Sequence, residues 1–110
     1  MIHSVTLYRV RPEVDEKRLD QMMISARVGM LKIPEVQGVR TGKNVEPGAP
    51  WGFFVALDVE SMDRLKLVHE DPIYIKFQAD ILSPTVEEQF VANLRNAAWE
   101  KHQVFVSPPF

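Results

Sequence analysis

The chain has no cysteine, which excludes disulfides, thiolate nucleophiles and cysteine metal sites. Histidine is scarce. The three residues, at positions 3, 69 and 102, form no His-x-x-x-His pair and no ligand cluster, so no metal is expected. A haem would have only His69 as a lone axial ligand. None of the five glycines builds a phosphate-cradling loop at the start of a helix, as a flavin or nicotinamide would require. No cofactor is therefore expected. Ser4, Ser25 and Ser61 lack the glycine-flanked elbow of a serine nucleophile.

Long apolar runs are also missing. None approaches the ~20 residues needed to span a bilayer, so no membrane partner is expected. Met1 leads directly into Ile2-His3-Ser4-Val5-Thr6-Leu7-Tyr8, without the basic start and apolar centre of a signal peptide. Cytoplasmic localisation is the expectation. Excess positive charge is absent as well: 13 Lys and Arg stand against 15 Asp and Glu, net −2. Nucleic-acid binding normally needs a basic face, so no nucleic-acid partner is expected. Trp51-Gly52-Phe53-Phe54 has the glycine and aromatics of an RNA-binding strand but not its basic residue.

What remains is the pattern of a single α+β domain. With 110 residues and 45% hydrophobic content, one core can form, although a second subunit would help a chain this small to bury more surface. Residues 2–10, β-branched and aromatic, read as a first strand ended by Arg11-Pro12. Asp15 suits a helix N-cap, and Leu19, Met22, Met23, Ala26 and Met30 follow at helical spacing. Ile24, Val28 and Leu31 widen that apolar arc, which predicts cover on more than one side. Ile33-Pro34 stops the helix.

Val36–Val45 reads as strand two, with Gly38 a bulge or turn entry and Gly42 a point of close approach. A turn at 46–50 leads into strand three, Trp51–Val59. Its apolar run Phe53-Phe54-Val55-Ala56-Leu57 does not alternate, so both faces should be covered. Helices can cover one face, and a second subunit is the economical cover for the other. Ser61 caps a short helix carrying Met62, Leu65 and Val68. Asp71-Pro72 restarts a helix with Ile73, Tyr74, Phe77 and Ile81 on one face. Ser83-Pro84 breaks it before strand four, Val86–Leu94. The order β-α-β-β-α-α-β is ferredoxin-like. Residues 1–94 form the domain. Residues 95–110 are an apolar extension, with Trp99, Phe110 and a possible fifth strand at Val104–Val106, expected to pack on the barrel or on a partner.

Three stretches carry a resemblance in register. They are Met1–Pro12, Pro34–Val39 leading into Gly42–Val45, and Asp71-Pro72-Ile73-Tyr74-Ile75-Lys76-Phe77. Together they resemble the stress-responsive dimeric α/β-barrel (Dabb) family over residues 1 to about 94. The resemblance implies a homodimer in which two four-stranded sheets close into a barrel with the helices outside. It also implies a pocket between sheet and helices for a small hydrophobic ligand.

Family plant polyketide cyclases perform a cofactor-free aldol closure with a histidine base and a tyrosine partner. By position, that histidine falls on Tyr74 and that tyrosine on Val68. The family's strand-one histidine falls on Ser4, with His3 adjacent but on the opposite strand face. Valine cannot exchange a proton, and an unperturbed phenol, pKa about 10, is a poor base. The chain thus resembles the fold and departs from the cyclase chemistry.

The candidate catalytic residues are Tyr74, His69 and His3. The candidate substrate contacts are Ser4, Tyr8, Met22, Met23, Ala26, Val68, Asp71 and Phe77. Asp71 also has a purely structural reading as a helix cap, and Tyr8 and Trp51 as packing residues. His102, in the extension, reads as solvated. Two functions remain open. One is a cofactor-independent lyase or cyclase-like enzyme acting on a small hydrophobic or aromatic carbonyl compound. The other is a non-catalytic, stress-responsive ligand-binding dimer.

Overall fold

The computed structural model describes residues 1–96. The expected fifth strand at 104–106, Trp99, His102, Phe110 and the packing of the extension lie outside the described residues. The order is β1 (Ile2–Val10), α1 (Glu16–Met30), β2 (Gly38–Lys43), β3 (Phe53–Val59), α2 (Met62–Glu70), α3 (Pro72–Phe77), a π-helical turn (Gln78–Leu82) and β4 (Val86–Arg95). The four strands form one antiparallel sheet, ordered β2-β3-β1-β4. This is the ferredoxin-like α+β architecture expected from the sequence.

Local chemistry sets the element boundaries. The Asp15 carboxylate accepts from the Arg18 backbone N–H, satisfying a donor at the start of α1. The Ser61 hydroxyl does the same for Arg64 on α2. Asp71 caps α3 through Ile73 N–H, and Pro72 follows where its missing N–H costs nothing. In the turn before β3, Gly48 holds φ +74°, a conformation that favours glycine.

The registers make each strand two-sided. Ile2, Ser4, Thr6 and Tyr8 of β1 share a face with Val59, Leu57, Val55 and Phe53 of β3, and the helices pack on this face. Met22, Ala26 and Met30 of α1, Leu65 and Val68 of α2, and Phe77 of α3 are buried against it. Tyr8 stacks on Phe53, ring centroids 4.6 Å apart. Burial of these side chains is the main stabilising term, ~1.5–3 kcal/mol for each large apolar group.

Four expectations need correction. β2 and β3 are shorter than the sequence suggested, because Asn44 and Trp51 leave the ladder for the turn, where the Asn44 side chain donates to the Trp51 carbonyl. The helix carrying Tyr74 does not continue regularly to Ile81. It widens into the π-turn, with Ser83 N–H reaching back to the Gln78 carbonyl. Ile24, Val28 and Leu31 are half-exposed rather than covered among the described residues. Gly38 opens β2 as a regular ladder residue opposite Asp58 rather than as a bulge. Gly42 does mark a close approach: a Cβ there would lie 2.5 Å from the Phe54 ring.

Candidate functional site

Beneath α2 and α3 lies a cavity of about 120 Å³. Its floor is the sheet: Ser4, Thr6 and Tyr8 from β1, Val55 and Leu57 from β3, and Gln89 and Val91 from β4. Its roof is Met30 from the end of α1, His69 from α2, and Tyr74 and Phe77 from α3. Apolar walls with a few converging polar groups are the usual composition of a small-molecule site. The volume is small, equivalent to about four waters at ~30 Å³ each. That is room for a compound of a handful of heavy atoms.

Tyr74 is positioned by the Asp71 cap and by Gln78. The Gln78 Nε2 donates to the Tyr74 hydroxyl oxygen at 2.8 Å. That bond fills an acceptor site and leaves the phenolic O–H free to donate. Burial raises the Tyr74 pKa, partly opposed by the Gln78 bond. Tyr8 is raised further, by burial and then by the neighbouring Tyr74. Both phenols therefore remain protonated donors at neutral pH. His69 sits at the cavity mouth with its ring centroid 4.9 Å from that of Tyr74, tilted by 41°. Partial burial lowers its pKa, so the imidazole is neutral at pH 7 and able to accept a proton. The Ser4 hydroxyl donates to Asn93 Oδ1 at 2.7 Å.

Of the sequence candidates, the structure gathers Ser4, Tyr8, His69, Tyr74 and Phe77 around this cavity. It does not bring Met22, Met23, Ala26, Val68 or Asp71 to the wall. Met22 lies about two turns and Ala26 about one turn before Met30, ~12 Å and ~6 Å back along the helix axis. The cavity sits under the end of α1, and Met22 instead lines a separate hollow beside the π-turn. Met23 packs beside the core, half-buried. Val68 points into the core with no exposed surface. The Asp71 carboxylate is occupied by capping α3. His3 is on the opposite sheet face, where its Nδ1 meets Asp58 Oδ1 at 2.5 Å. Alternation from Ser4 dictated that separation.

Sequence reasoning missed Thr6, Met30, Val55, Leu57, Gln78, Gln89 and Val91. Thr6 was legible, being two residues from both Ser4 and Tyr8 and so on their face. Gln78 was legible as a helical i+4 neighbour of Tyr74. Gln89 and Val91 required the β1–β4 register, which pairs Tyr8 with Gln89 and Thr6 with Val91. Among the described residues, no group of three or more His, Asp or Glu side chains is arranged to hold a metal. No helix among them is long and apolar enough to cross a membrane.

Solved structures share this fold. A Dabb family protein with a ferredoxin-like fold from Mesorhizobium loti is 12% identical with TM-score 0.76, covering 88% of this chain and 97% of that one. A dimeric ferredoxin-like protein of unknown function from Thermobifida fusca is 19% identical with TM-score 0.74, covering 84% and 88%. The hydroxynitrile lyase of Passiflora edulis is 15% identical with TM-score 0.75, covering 90% and 96%. At these identities the likeness establishes the fold alone. No curated protein matches the chain. The family model of the stress responsive A/B barrel domain matches residues 2–96. A sequence match over that span, together with the β2-β3-β1-β4 sheet and its one-sided helices, means that the chain belongs to the stress responsive A/B barrel (Dabb) family.

Proposed function

We propose that the cavity beneath α2 and α3 binds a small, mostly apolar hydroxy or carbonyl compound and that the protein is a cofactor-independent lyase. The observation that carries this reading is the pairing of a neutral imidazole, His69, with a phenolic donor, Tyr74, over one small cavity. In the cleavage direction, His69 removes the substrate hydroxyl proton. The oxygen electron pair forms the carbonyl, the adjacent carbon–carbon bond breaks, and its electrons leave with the departing group. Tyr74 donates a hydrogen bond to that group as charge develops on it. The hydroxynitrile lyase among the structural neighbours supports this reaction class by analogy of fold.

Acetone cyanohydrin has the size the cavity admits, and released cyanide measures its cleavage. The wild type is expected to exceed a protein-free control. Tyr74→Phe, which removes only the hydroxyl, is expected to lose tenfold or more, about the worth of one hydrogen bond of ~1.4 kcal/mol. A wild-type rate equal to the control across small hydroxynitriles would end the lyase reading. One observation would then favour a non-catalytic ligand-binding dimer: Tyr74 and Val68 stand where the family's cyclases carry their histidine and tyrosine.

We also infer a homodimer that buries the sheet face opposite the helices. Leu7, Phe54 and Phe90 form one cross-strand row of that face, and Phe90 and Leu94 are each more than half exposed. Polar and charged pairs bound this apolar centre at both ends: His3–Asp58–Arg40 at one and Arg9–Glu88 at the other. An apolar centre with a polar rim is the anatomy of an interface. The dimeric neighbour from Thermobifida fusca is consistent with it.

A further inference from the structure

A second hollow opens between α1 and the π-turn, apart from the cavity beneath α2 and α3. Arg18, Met22 and Ser25 of α1 form one wall, at the i, i+4, i+7 spacing of a single helix face. Asp80 and Ile81 form the other. They belong to the five-residue π-turn, a rare helical form that is frequent at functional sites. Thr85, which also lines the hollow and is 1% exposed, donates its hydroxyl proton to the Ile81 carbonyl and so steadies that wall. The hollow measures about 340 Å³. That volume falls within the ~300–1,000 Å³ of small-molecule sites, which the cavity of about 120 Å³ does not reach.

The two walls divide the chemistry. Met22, buried, and Ile81, half-buried, supply apolar surface. Beside them stand an exposed cation, Arg18, and an exposed anion, Asp80, one on each wall. Among the described residues neither takes part in an ion pair, with the other or with a third group. Opposite charges that border one space without meeting are complementary to a ligand that carries both. We propose that this hollow binds a free α-amino acid with an apolar side chain. The Arg18 guanidinium holds the carboxylate through its fork of N–H donors. The Asp80 carboxylate accepts from the ammonium, and the ligand's side chain rests on Met22 and Ile81. The hollow lies on the helix side of the sheet, so a second copy on the opposite face leaves it open. It also stands independently of the lyase reading.

Two charges allow each to be tested alone. The isotope-labelled full-length protein is titrated with L-leucine and followed by NMR. Separate titrations use 4-methylpentanoate, which lacks the ammonium, and isoamylamine, which lacks the carboxylate. Leucine is expected to shift Met22, Ile81 and Thr85, and to bind roughly tenfold more tightly than either analogue. Arg18 and Asp80 are exposed, so their replacement should leave the fold intact. Arg18→Gln should reduce leucine to the affinity of isoamylamine, and Asp80→Asn to that of 4-methylpentanoate. Equal binding of the three probes would overturn the proposal. Shifts at Thr6, Val55 and Leu57 instead, which would place leucine under α2 and α3, or no shift at ~10 mM leucine, would do the same.

Discussion

The two faces of the sheet are built from the same strands and have opposite fates. Phe53 and Phe54 are neighbours in β3, yet Phe53 is 2% exposed beneath the helices and Phe54 is half-buried over Gly42. On the helix face the apolar core is closed and its polar intruders are satisfied, as with Ser4 on Asn93. On the other face, Phe90 and Leu94 are 56% and 55% exposed. One face is closed by helices of the same chain and the other is open among the described residues. A residue's contribution to stability therefore depends on which face it occupies, and under the proposed homodimer contributions on the open face also depend on protein concentration.

The largest effect expected from this difference is at Phe53. Phe53→Ala removes a buried ring and its stack on Tyr8, and should cost ~3–5 kcal/mol. Chemical denaturation should show that loss at every protein concentration, because the helices that cover Phe53 belong to the same chain. A cost under ~1 kcal/mol would mean that the core closes around the gap.

Next in size is the open face. Phe90→Asp places a carboxylate in its apolar centre, where charge is costly to bury. Light scattering of the wild type at micromolar concentration should give twice the 12.6 kDa chain mass. The variant should give the single-chain mass while keeping the wild-type far-ultraviolet circular dichroism. A wild-type monomer, or a variant that remains dimeric, would refute cover of this face by a second copy.

The contrast between the faces also explains what the sequence made legible. The order of elements, the three helix caps and the close approach at Gly42 are local signals, and each occurs where residue chemistry requires it. The unalternating run Phe53–Leu57 was legible as a strand with two apolar faces. Among the described residues, helices cover one of those faces. Within the site, Tyr74, His69, Ser4 and Tyr8 were legible because alternation and helical spacing direct side chains to a face. Met22 and Ala26 do not line the cavity for a different reason. Periodicity gives the face of a helix, but not the level along its axis at which a cavity opens. The α1 axis places Met30, not Met22, over the hydroxyls of β1. Gln89 and Val91 were hidden because they depend on a register between strands some eighty residues apart.

The smallest expected effect compares the histidines, one on each face. His3 has a carboxylate partner in Asp58, whereas His69 has an aromatic neighbour in Tyr74. Burial lowers the folded-state pKa of His69 below its ordinary 6.5. Between that lowered value and 6.5 the unfolded chain binds more protons at this position than the folded one, so stability there rises with pH. The contribution is fully present above 6.5 and is lost as pH falls through 6.5 toward the folded-state value. Because His69 lies at the cavity mouth, with much of its ring in water, solvent screening keeps the effect modest. Denaturation midpoints measured from pH ~5 to ~7.5, which bracket histidine titration, should fall more steeply toward acid in the wild type than in His69→Asn. The His69 ring signals in NMR should titrate below those of a free histidine. Coincident stability curves, or titration at or above 6.5, would show that the imidazole gains a partner in solution. The neutral base assumed for the cavity would then be missing at its mouth.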